Sequence, residues 1–236
     1  MIIPGRYNGP PASGNGGYSA GLVASYVDDS ASVRNERSEP RSRERKMSAA
    51  EVTLRLPPPL DVPMRVERDG ADVRVYDGDR LIASATPANG RPADPAPAVP
   101  LAEAVSAASR YPGLTDHPFP TCFVCGPART DGLGVFPGPL EDGGTAAPWT
   151  VPYDVHEAMV WAALDCPGGW AIISPGRPYV LGRMAAVVSD LPRPGDTCVV
   201  TGRCTEVEGR KAFVKSAAYS PDGTLLGYAD ATWIAV

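Results

Sequence analysis

The chain has 236 residues, 43% of them hydrophobic and 21% charged, with a net charge of −5. That length and apolar content bury one substantial core or two small ones, which means one or two domains. The acidic balance argues against nucleic acid as a partner, because phosphate contacts need clustered Lys and Arg in excess.

No apolar run approaches the roughly 18 residues that span a bilayer, and Met1-Ile2-Ile3-Pro4-Gly5-Arg6 lacks a basic start followed by an apolar stretch. A cytoplasmic protein with no membrane partner is therefore expected. Five cysteines, an odd number, make no disulfide framework and suit a reducing compartment.

In chain order, Ser13-Gly14-Asn15-Gly16-Gly17-Tyr18-Ser19-Ala20-Gly21-Leu22-Val23-Ala24 reads as a helix opened by paired glycines. Residues 28–48 mix charges with almost nothing to bury, the composition of a disordered or loosely helical, solvated insertion. Strands are predicted at 52–56, 64–67, 72–76 and 81–86, with a proline-rich turn at 57–63. An Ala/Pro-rich stretch at 87–100 opens a linker assigned to 89–117, and 138–147 reads as a surface loop. Residues 160–173 are apolar on nearly all sides, as in a buried helix, with Pro167-Gly168-Gly169 taken as a helix start. Strands at 184–188, 197–206, 211–219 and 225–236 follow.

The same signals thus occur twice, in units assigned to 1–88 and 118–236. Even the last hairpins agree, since Asp77-Gly78 and Asp222-Gly223 each supply the positive φ of a tight turn. A helix followed by an antiparallel meander is an α+β unit whose sheet wraps a central helix. This resembles the hotdog fold, here as a double hotdog on one chain.

Cys122-Phe123-Val124-Cys125-Gly126-Pro127, followed by Gly132-Leu133-Gly134-Val135, resembles the opening of hotdog acyl-CoA thioesterases of the phenylacetate-pathway type. The ending at 219–236, with Asp222-Gly223, Ala229, Ala231 and Trp233-Ile234, is similar to their last hairpin. The family's His-Gly-Gly is replaced by Asn15-Gly16-Gly17 in one unit and Pro167-Gly168-Gly169 in the other. The resemblance implies a thioester carbonyl held at Gly16-Gly17, at Gly168-Gly169, or at both.

The chemistry suits those residues. A helix N-terminus has amides without partners and a partial positive charge, and glycine lets a ligand approach them closely. The competing reading is that the glycines merely permit close packing. Asn15 can donate to a carbonyl or cap its own helix, and Asp165 can act as general base for water or cap a turn. Tyr18, Trp161 and Trp170 are candidates to line an acyl-chain pocket.

His156 lacks the Asp-x-Asn-x-x-His setting of bond-polarising hydratases, and His117 reads as a hydrogen-bonded turn residue. Cys122 and Cys125 form a lone Cys-x-x-Cys, with Cys166, Cys198 and Cys204 at no recognised spacing, so no metal and no cofactor are expected. Gly14-Asn15-Gly16-Gly17 lacks the preceding strand of a dinucleotide site. The function expected is an acyl-CoA thioesterase-like hydrolase acting on an acyl-CoA or related thioester. The alternative is a non-catalytic acyl-CoA or hydrophobic-ligand binding protein, and either could associate further into a homodimer of such chains.

Overall fold

The computed structural model describes residues 1–27, 48–88, 92, 94–174 and 176–236, so the expected insertion at 28–48, apart from Ser48, lies outside the described residues. Helix α1 (Gly16–Ala24) is followed by strands β1 (Ser48–Leu54), β2 (Arg65–Asp69), β3 (Asp72–Asp77) and β4 (Arg80–Pro87). Helix α2 (Leu101–Ala108) and strands β5 (Gly138–Pro139) and β6 (Thr145–Thr150) come next. The chain continues with helix α3 (Glu157–Trp170) and strands β7 (Tyr179–Val188), β8 (Thr197–Glu208), β9 (Lys211–Tyr219) and β10 (Leu225–Ala235).

Alternation drives the strands. In β3, Val73 and Val75 are buried while Asp72 and Arg74 face solvent, the period of two that a one-sided sheet demands. The two expected hairpin glycines have φ of 59° at Gly78 and 83° at Gly223, a region that glycine enters freely.

All ten strands join one antiparallel sheet in the order β2-β3-β4-β1-β7-β10-β9-β8-β6-β5. Read toward the centre, β2-β3-β4-β1 repeats as β8-β9-β10-β7, with β6 and β5 added outside β8, so the two units share a four-strand topology and meet where β1 pairs with β7. Val52 sits opposite Met184 at that junction, and both are fully buried.

Every residue of α3 except Glu157 is buried, as befits a helix apolar on all sides. It crosses α1 at two glycines one turn apart. A Cβ on Gly21 would lie 2.7 Å from the Ala158 Cα, and one on Gly17 would lie 2.6 Å from the Trp161 carbonyl oxygen. Small residues four apart thus let the two backbones touch.

Two expectations need correction. Helix α3 begins at Glu157, so Pro167-Gly168-Gly169 forms its last turn and not a helix start. Its glycines are small because the sheet presses on them: a Cβ on Gly168 would meet Val214 Cγ2 at 2.6 Å, and one on Gly169 would meet the Trp233 ring at 2.5 Å. Pro167 lies inside the helix and has no N–H to give the carbonyl of Ala163, while its own carbonyl accepts from Thr145 Oγ1 at 2.7 Å.

The stretch expected to be a linker contains α2. Ala104 and Ala107 pack there with Ala146 and Val199. Because Ala147 joins the main core while Ala146 does not, α2 covers the sheet face opposite α3. Among the described residues, no helix is long and apolar enough to cross a membrane.

Candidate active site

The glycine contacts bring the start of α1 to the middle of α3, and there the two units exchange polar groups. Asn15 is the N-cap of α1, its Oδ1 accepting the Tyr18 N–H at 2.8 Å. The other end of the same amide points away, with Nδ2 donating to Asp165 Oδ2 at 3.3 Å. The Gly17 N–H donates to that same oxygen at 2.8 Å. Capping and donation, competing roles in the sequence, are divided between the two atoms of one side chain.

Asp165 is 3% exposed. Burial pushes its carboxyl up to about 7, against the pull of the Gly17 and Asn15 hydrogen bonds toward the ionised form. Oδ1 has no hydrogen-bond partner among the described residues. The Gly16 N–H, first of the helix, is likewise without a partner among them. A Cβ on Gly16 would meet Leu181 Cβ at 2.7 Å, so only glycine fits here without a shift of Leu181.

Asn15, Gly16, Asp165 and Trp170 border one cavity of about 280 Å³, walled otherwise by residues including Leu54, Pro58, Leu181 and Trp233. Among the described residues, Arg55 is the one Lys or Arg on its wall.

Three thiols line the same cavity. Cys122 and Cys125 come from the turn before β5 and Cys166 from α3, all buried, with the three Sγ atoms within 4.8 Å of one another. Asn15 Nδ2 lies 3.8 Å from Cys122 Sγ, His117 Nε2 lies 3.4 Å from Cys125 Sγ, and Trp170 Nε1 donates to Cys125 Sγ at 3.5 Å. Hydrogen bonds from the Cys125 and Cys166 thiols hold the Cys122 thiol well below its usual range, while burial pushes Cys125 up. Burial lowers His117.

No family model matches the chain, and no curated protein matches it by sequence. Among solved structures, a conserved protein of unknown function with hot dog fold from Alicyclobacillus acidocaldarius is similar over 99% of this chain and 91% of that one. The TM-score is 0.61 at 14% identity. The chain is a double hotdog.

Shorter likenesses span about one unit of the double hotdog. A thioesterase superfamily protein matches 47% of this chain at 20% identity and TM-score 0.43, and the match spans only 58% of that protein's length. A hypothetical thioesterase protein with coenzyme A from Streptococcus pneumoniae matches 42% of this chain and 86% of that one, at 15% identity and TM-score 0.39.

Within the double hotdog the residues singled out from sequence separate into two groups. Asn15, Gly16, Asp165 and Trp170 border the cavity, and Gly17 reaches it through its bond to Asp165. Tyr18 is instead stacked on Tyr7 at 3.8 Å between ring centroids. Trp161 is fully buried in the core. Tyr18, Trp161, Gly168 and Gly169 are all absent from the cavity wall.

His156 sits at the N-cap of α3 and packs edge-on against Tyr18. His117 does bond within its turn, its Nδ1 accepting the Phe119 N–H at 2.9 Å. Sequence reasoning missed the segment 54–58 and Cys166, which linear spacing places far from Asn15 and from the Cys-x-x-Cys pair.

Proposed function

We propose that the double hotdog hydrolyses the thioester of a short-chain or compact acyl-CoA in the cavity at the start of α1, beside Asp165 and Trp170 of α3. The observation that supports this most is Asp165, a buried carboxyl fixed by one oxygen to the Gly17 N–H and Asn15 while its other oxygen has no partner. The thioester carbonyl oxygen takes the Gly16 N–H at the positive end of α1, where an oxyanion is stabilised as it forms. The Asp165 carboxylate accepts a proton from water as that water attacks the carbonyl carbon, the C–S bond breaks, and the departing thiolate takes up the proton.

A cavity of about 280 Å³ lies at the lower end of small-molecule sites and suits a small acyl group rather than a long chain. Arg55 on the wall is the cation suited to the phosphates of the carrier.

Free-thiol release from acetyl-, hexanoyl-, phenylacetyl- and palmitoyl-CoA tests the reading. Turnover of the shorter esters with little of the palmitoyl ester is the expected result. No turnover of any ester, with CoA raising Tm, refutes catalysis and leaves the binding protein, a reading favoured by the occupation of the Gly17 N–H by Asp165.

A further inference from the structure

We infer that Cys122, Cys125 and Cys166 hold a thiolate-coordinated divalent metal of the zinc type, with the fourth ligand position open to the cavity. Their Sγ atoms lie within 4.8 Å of one another. Tetrahedral zinc with bonds of about 2.3 Å needs ligand sulfurs about 3.8 Å apart, so the triangle has to tighten by at most about 1 Å to close on an ion. The pair separated by two residues supplies two ligands from one tight turn. In that turn the Gly126 N–H returns to the Cys122 carbonyl at 2.9 Å, and a Cβ on Gly126 would lie 2.4 Å from the Cys122 amide nitrogen. Helix α3 supplies the third.

Buried free cysteines ordinarily behave as small apolar groups. Here Asn15 Nδ2, His117 Nε2 and Trp170 Nε1 converge on two of the sulfurs at 3.8, 3.4 and 3.5 Å. Polar N–H groups aimed at sulfur are the surroundings that offset the negative charge of metal-bound thiolates. His117 belongs to this outer set and is not a fourth ligand. Its Nδ1 accepts the Phe119 N–H, which leaves the ring proton on Nε2, facing Cys125. Because all three cysteines line the cavity, the remaining tetrahedral position faces it, as in metal sites that keep one exchangeable ligand.

The test uses the full chain, reduced, purified without chelators, incubated with zinc or cobalt(II) and dialysed. The expected result is about one zinc retained per chain by elemental analysis and, with cobalt, thiolate-to-metal charge-transfer absorption of a tetrahedral site. Cys122→Ser and Cys166→Ser should each abolish retention, while Cys198→Ser, a buried cysteine outside the cluster, should keep it. Where the serine variants fail to fold, the cobalt spectrum of the unmodified chain decides. A folded, fully reduced chain that retains neither metal overturns the site. Adding 2-mercaptoethanol to the cobalt form should shift its bands, and unchanged bands would refute the open position. Metal content is read without reference to thioester turnover, so this inference and the proposed hydrolysis fail separately.

Discussion

The backbone N–H of Gly17 and the carboxylate of Asp165 meet at 2.8 Å across the boundary between the two units. The first unit supplies a helix terminus and the second a buried acid, so neither unit alone contains both. The contact exists because Gly17 has no side chain. Its N–H reaches Asp165 only with α1 pressed onto α3 at a spacing where a Cβ would fall 2.5 Å from Asp165 Cβ.

Gly17→Ala should therefore force the helices apart. Overpacking of this kind costs about 1–3 kcal/mol, read as a lower urea midpoint, and thioester turnover should fall with it. An unchanged midpoint would mean that the helix crossing is looser than these distances imply.

Asn15 divides its amide between its own helix and Asp165, and two substitutions separate the roles. Asn15→Ala removes both and should cost about 1 kcal/mol of stability through the lost cap. Asn15→Ser keeps a capping oxygen but has no amide donor to reach Asp165, so it should lose less stability and a similar share of kcat/KM. Urea titration and steady-state kinetics on both variants check this, and full activity in Asn15→Ser would remove the donor from the mechanism.

Gly168 has a packing role away from the cavity, since a Cβ would strike Val214 Cγ2 at 2.6 Å and Val214 is not on the cavity wall. Gly168→Ala should destabilise by about 1–3 kcal/mol and leave KM of the folded protein unchanged. A raised KM with unaltered stability would restore the ligand role that sequence suggested for this pair.

The repeated order of helix and meander was legible because it rests on local signals: alternation in the strands, Asp-Gly turns and an apolar helical run. Asn15, Gly16 and Asp165 stood out in the sequence as a cap, a bare amide and an isolated acid, and the fold brings them to one cavity. The last turn of α3 was misread because a proline before two glycines looks like a helix start. Only the opposing Val214 and Trp233 reveal that those glycines accommodate a sheet. The nearness of Cys166 to Cys122 and Cys125 was hidden for a similar reason, as it arises from the packing of α3 and has no trace in linear spacing.

Arg55 is exposed at the cavity wall, where a phosphate-bearing carrier would pass. Arg55→Ala should raise KM for CoA esters several-fold with little change in kcat, and added salt should narrow the gap between variant and parent as it screens the lost charge. Equal KM values at low salt would place the carrier elsewhere.

The most direct measurement compares Asp165→Asn with the parent in single-turnover hydrolysis of a short acyl-CoA. Asparagine keeps the shape and an oxygen for the Gly17 N–H but cannot take a proton from water. A fall of about 10²- to 10⁴-fold in the hydrolysis rate, with CoA binding and Tm retained, is the expected result. Hydrolysis at the parent's rate by a folded Asp165→Asn chain would contradict the mechanism outright.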